Sequence, residues 1–153
     1  MQPSTTASMT AAYYLEPMLA QVALSFFIAA LILATRLRDI LSGNAPPSFY
    51  ENYSGAGGPV MVQRTRNQLA NAFEFPVLFF AVLSIAVASD VRDPLLLQLA
   101  RAFVTFRWAH SVIHLTLNKL WIRMVAFMLS NLLLFGMWVR FALLVYSGDA
   151  RLQ

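Results

Sequence analysis

A carboxylate set inside an apolar run is the first feature of this sequence that asks for chemistry. Glu74 lies in the stretch Arg64 to Phe80, RTRNQLANAFEFPVLFF, with Phe73, Phe75, Val77 and Leu78 around it. Burying an ionised carboxylate without a partner costs on the order of several kcal/mol, so such a residue is by default a functional-site candidate. On a helix Arg64, Asn67 or Gln68, Asn71 and Glu74 recur every three or four residues and share one face. A second stripe, Arg107, His110 and His114, has the spacing i, i+3, i+7. Arg36 and Arg123 stand near the ends of neighbouring apolar segments. Against the one carboxylate of Glu74, the cations Arg36, Arg64, Arg107 and Arg123 are in excess, and that excess suits an anionic ligand.

Two other chemistries compete. Glu74 paired with Arg107 or another cation acts as glue between helices, with modest net stabilisation and no ligand. His110 and His114, one turn apart, can hold one edge of a metal ion, but the further ligands are missing beyond Glu74. Two histidines on one helix face cannot take opposite axial positions of one haem. No metal is assigned.

The elements that must position these residues follow from composition. Of 153 residues, 59% are hydrophobic and 12% charged, about half the charge fraction of soluble domains. With its long apolar stretches the chain reads as an all-α integral membrane protein, a single domain over 1–153. The net charge of +4 is spread among connections rather than massed in a run, which argues for membrane topology and an anionic ligand, and against nucleic acid. Without cysteine there is no disulfide, thiolate metal site or cysteine nucleophile. The N-terminal MQPSTTASMTAAYYLEP lacks the charged region of a cleaved signal peptide, so the first helix is expected to remain as an uncleaved anchor.

Apolar patterning places spans at about 13–35, 62–88, 95–117 and 121–145. Tyr13 and Tyr14 are expected at a membrane interface, with Glu16 and Pro17 in the first helical turn. Gln21 and Ser25, i and i+4, mark a face that packs on protein rather than lipid. The Gly-, Pro- and Ser-rich segment within 40–58 is long enough to be a lid or a disordered loop. Pro76 predicts a kink just beyond Glu74. Asp93 reads as an N-cap with Pro94 at the first helical position, and Gly148 as a helix stop.

Cation counting orients the spans. With both termini outside the cytoplasm, the inner connections hold Arg36, Arg38, Arg64, Arg66, Lys119 and Arg123, against Arg92, Arg101 and Arg151 outside and Arg140 near that side. At the standard helical rise Glu74 lies about 12 Å beyond Arg66, and His110 about 10 Å before the inner end of its span. Both polar stripes then share the cytoplasmic third of the bilayer.

These motifs resemble those of the MAPEG family, the membrane-associated proteins in eicosanoid and glutathione metabolism, in its bacterial-type members. One is R-x6-N-x2-E with a proline after it, here Arg64, Asn71, Glu74 and Pro76. The other is R-x2-H with an arginine opening the last span, here Arg107, His110 and Arg123. Arg36 stands where the family has a basic residue. The resemblance implies a multi-pass inner-membrane four-helix bundle assembled as a homotrimer, with glutathione as co-substrate between protomers and a hydrophobic small molecule arriving from membrane lipid. It implies glutathione contacts from Arg36, Arg64, Asn71, Glu74, Arg107, His110 and His114, and a thiolate stabilised by Arg123. Transferase or peroxidase activity is the implied function; a non-catalytic scaffold or accessory subunit binding lipid or a protein partner is the alternative, and a transporter a third. The chain departs from the family's enzymes at His114 and Phe127, where tyrosine is frequent, and at Asn67, where arginine is.

Overall fold

The computed structural model describes residues 5–44, 48, 71, 73–117 and 119–148. They form an all-α bundle of α1 (Thr5–Leu41), α2 (Pro76–Ala88), α3 (Pro94–Leu115) and α4 (Leu120–Ser147). α3 and α4 pair most extensively, α1 lies against α2 and α3, and α2 also meets α4. Two of the helices, α1 from Met9 to Leu41 and α4, are long and apolar enough to cross a membrane, and α2 is a shorter apolar helix. The expected beginning of the second span and most of the 40–58 segment lie outside the described residues.

α2 is apolar on all sides, so one face goes inward and the other is left to its surroundings. Phe79, Val82, Leu83 and Ala86 are buried while Val77, Leu78 and Ile85 are exposed. Phe79 stacks on Phe103 of α3 with ring centroids 4.8 Å apart. Leu134, Met137, Phe141 and Leu144 of α4 close the same core. A smaller cluster, Leu24, Ile28 and Ile32 of α1, packs on Trp108.

Proline and polar residues punctuate the chain where backbone groups would otherwise lack partners. Residues 71, 73 and 74 are helical, Phe75 is a turn, and Pro76 opens α2. The Phe75 backbone nevertheless stays helical, at φ −82° and ψ −33°, and only the hydrogen bond that a proline cannot donate is missing there. α2 ends in a Schellman arrangement: Val91 N–H donates to Ala86 O at 2.9 Å and Asp90 N–H to Val87 O at 3.1 Å. Asp90 holds the left-handed position there, at φ 52°. Asp93 caps α3, its Oδ1 accepting from Leu96 N–H at 2.7 Å, with Pro94 first in the helix. Gly148, φ 74°, ends α4.

Two sequence expectations for α1 need correction. Glu16 and Pro17 are not in its first turn, because α1 starts at Thr5 and Pro17 sits inside the helix. Glu16 instead pairs with Arg101 of α3. Tyr14 is not an interfacial anchor but fully buried, and its hydroxyl accepts the Asp93 N–H at 3.1 Å. Thr10 joins Asp90 and Arg92 at the same end of the bundle. The N-terminal part of α1 is thus held by distant side chains, which an apolar pattern does not reveal.

Candidate functional site

Away from that clasp, toward the α3–α4 connection, the interior turns polar. Arg107, His110, Ser111 and His114 are all buried on one face of α3, which is the stripe that the i, i+3, i+7 spacing predicts. The Ser111 hydroxyl donates back to Arg107 O at 2.9 Å. Ser25, Thr105, Thr116 and Ser130 likewise donate to carbonyls one turn earlier. Such back-bonding satisfies a hydroxyl in an apolar helix without a neighbour.

Arg107 is fully buried. Its Nη2 donates to the main-chain carbonyl of Asn71. Among the described residues its Nε and Nη1 have no hydrogen-bond partner. Glu74 is the carboxylate whose field acts on it, yet no ion pair joins the two, and the Glu74 side chain is exposed. The glue reading, in which Glu74 neutralises Arg107 directly, is therefore not what this protomer shows. A buried guanidinium held by one peptide carbonyl keeps most of its desolvation cost uncompensated.

His110 faces across the α3–α4 hairpin. Its Nδ1 lies 3.1 Å from the carbonyl oxygen of Arg123. A carbonyl only accepts, so Nδ1 carries the proton and donates. Nε2 is then the acceptor end of the neutral ring, buried and without a partner among the described residues. His114 is buried beside it, ring centroids 6.0 Å apart.

Phe127, noted in the sequence only for the tyrosine it replaces, is the hub of this region. Its ring centroid is 5.5 Å from that of His110, 5.4 Å from that of Phe75 and 6.0 Å from Cζ of Arg107. Its position one turn beyond Arg123 was the available signal, since i and i+4 share a face. The structure thus brings together Arg107, His110, His114, the backbone of Asn71 and the backbone of Arg123. Arg36, half-buried, lies in the last turns of α1. Arg64 lies outside the described residues. Gln21 is buried as expected, but inside the protomer, with both amide atoms unpartnered among the described residues.

Compared with known proteins, the chain matches the model of the MAPEG family over residues 14–143. No curated protein and no solved structure matches it.

Proposed function

The chain belongs to the MAPEG family, and from that membership we propose that it is a membrane-embedded glutathione-binding protein acting as a transferase or peroxidase on lipophilic electrophiles. Family membership and two apolar helices give membrane association and a glutathione-related role in general. The observation that carries the finer reading is Arg107: a fully buried cation with two nitrogens unpartnered among the described residues and no carboxylate paired to it. Anionic glutathione fits such a group, since its carboxylates supply the acceptors that Nε and Nη1 lack. His110 Nε2 offers an acceptor for an N–H of the tripeptide.

In this reading Arg36 and Arg64 hold carboxylates, Asn71 and Glu74 the amine end, and Arg107, His110 and His114 the body of the peptide. Arg123 stabilises the thiolate, because a nearby cation favours the ionised form of a thiol. A thiolate held there attacks an electrophile that arrives through the bilayer. The protein is multi-pass with both termini outside the cytoplasm, as the cation distribution supports. A cysteine introduced at Ser4 should react with impermeant thiol reagents in intact cells, and one at Ser48 should not; the reverse pattern overturns this orientation.

One observation favours a non-catalytic member that binds lipid or a protein partner instead. The centre of the site is the phenyl ring of Phe127, which brings no hydroxyl to a thiol. Calorimetric titration of the detergent-solubilised protein with glutathione, beside a thiol-conjugation assay, separates the two. Binding with turnover is expected. Absence of binding at millimolar glutathione removes the proposal.

A further inference from the structure

Resting on that reading, we propose that His110 is a positioning residue for Arg123: its Nδ1–H ties the Arg123 carbonyl across the α3–α4 hairpin and so fixes the main chain from which the guanidinium reaches.

Arg123 occupies the first turn of α4, whose N-terminal end has no side-chain cap. The N-cap Lys119 makes no side-chain capping bond, and no acidic residue lies in the first turn. Local main-chain support comes from Arg123 N–H donating to Lys119 O at 3.1 Å. An uncapped first turn frays readily, yet a cation that stabilises a thiolate must stay within a fraction of an ångström of its place. The bond from His110 supplies that restraint from outside the helix.

The ring that makes it is buried against other rings. His110 is 3% exposed, and its plane is packed between Phe127 and His114 at centroid distances of 5.5 and 6.0 Å. Phe127 lies one turn beyond Arg123 on α4, so α3 grips α4 at two successive turns. With Nδ1 committed to the carbonyl, the neutral ring has one tautomer, in which Nε2 presents a lone pair rather than a proton. His110 therefore does two separable things through its two nitrogens: Nδ1 positions Arg123, and Nε2 faces ligand chemistry.

Side-chain amides separate the two roles. The amide nitrogen of asparagine is as many bonds from Cα as Nδ1, and that of glutamine as many as Nε2. His110→Asn keeps a donor for the carbonyl; His110→Gln and His110→Ala do not. Arg–Met occurs once in the chain, at Arg123–Met124, so carbonyl-13C arginine with 15N methionine gives one resonance that reports this carbonyl without glutathione. The wild-type carbonyl shift is expected in His110→Asn and lost in His110→Gln and His110→Ala. With glutathione, KM should rise in His110→Asn, which loses the Nε2 contact, while kcat falls less in His110→Asn than in His110→Gln, where it should fall by about tenfold or more. Rescue by Gln instead of Asn, or one unchanged resonance in all variants, overturns the proposal. Should His110→Ala fail to fold, the Asn and Gln pair still decides it. Loss of glutathione binding by the wild type removes the functional reading, and the resonance then decides the tether alone.

Discussion

Arg107 and Glu74 are the residues at which stability and binding pull apart. A buried guanidinium with one main-chain acceptor destabilises the ligand-free protein relative to an apolar side chain of similar length. Arg107→Met is therefore expected to raise the melting temperature of the ligand-free protein, by a free energy on the order of 1 kcal/mol, while abolishing glutathione binding. Among the described residues Glu74→Gln removes no ion pair, so its melting temperature should match wild type, while glutathione affinity falls by about 1.5–3 kcal/mol with a charge-assisted contact gone. Scanning calorimetry and isothermal titration on both variants test this. A lower melting point in Glu74→Gln would restore the pairing of Glu74 with Arg107. The face shared by Arg107, His110 and His114 was legible in the sequence because polar residues interrupting an apolar run expose its period. What Arg107 contacts was not legible, because Asn71 contributes a carbonyl that any residue would carry. Phe127 was hidden for a related reason: one phenylalanine among many carries no mark of being central.

At the scale of elements, the turn between α2 and α3 locks three helices together. Asp93 accepts from Leu96 N–H as a cap, and its Oδ2 pairs with Arg140 of α4 at 2.6 Å. Tyr14 of α1 takes its backbone N–H. The cap and Gly148 were legible, being local rules written in adjacent residues. The early start of α1 was not, because Thr10, Tyr14 and Glu16 find their partners about eighty residues away. The Asp93 carboxyl is held below its ordinary value, first by the hydrogen bond from Arg140 and further by N–H donors. A folded-state value below the unfolded one gives stability that is present above the unfolded pKa and lost as pH falls through the folded one. Acidification below about pH 4 should therefore lower the melting temperature of the wild type. Asp93→Asn keeps an oxygen for Leu96 N–H but loses the charge. It should cost about 1–2 kcal/mol at neutral pH and flatten that acid limb, whereas Asp93→Ala, which also loses the cap, should cost about 2–4 kcal/mol. Melting curves from pH 7 to pH 3 check both slopes, and an acid limb undiminished in Asp93→Asn would assign it to another carboxylate.

For the whole molecule, the question is what covers α2. Its outward face carries Val77 and Leu78, both about half exposed or more, as is Phe73 just before the helix, and Glu74 beside Phe73 is exposed. The apolar residues tolerate lipid; the carboxylate does not, since an ionised group facing hydrocarbon costs several kcal/mol. The sequence offered two polar faces as reasons for assembly, Gln21 with Ser25 and Asn71 with Glu74. The first no longer serves, because Gln21 is buried within its own protomer and Ser25 donates to the Gln21 carbonyl at 3.2 Å. Glu74 remains, and a second copy laid against α2 removes it from lipid at little cost if a cation or donor of that copy meets it. The family resemblance implies a trimer with glutathione between neighbours, and that is the assembly proposed. Native mass spectrometry in mild detergent is expected to return three chains for the wild type. Glu74→Leu separates the two services Glu74 would render: if it only binds ligand, the trimer persists in that variant and glutathione binding is lost. If the carboxylate is itself a contact between copies, the trimer weakens and dissociates at lower detergent stress. A monomeric wild type would leave Glu74 facing lipid and would remove both the assembly and the shared site built on it.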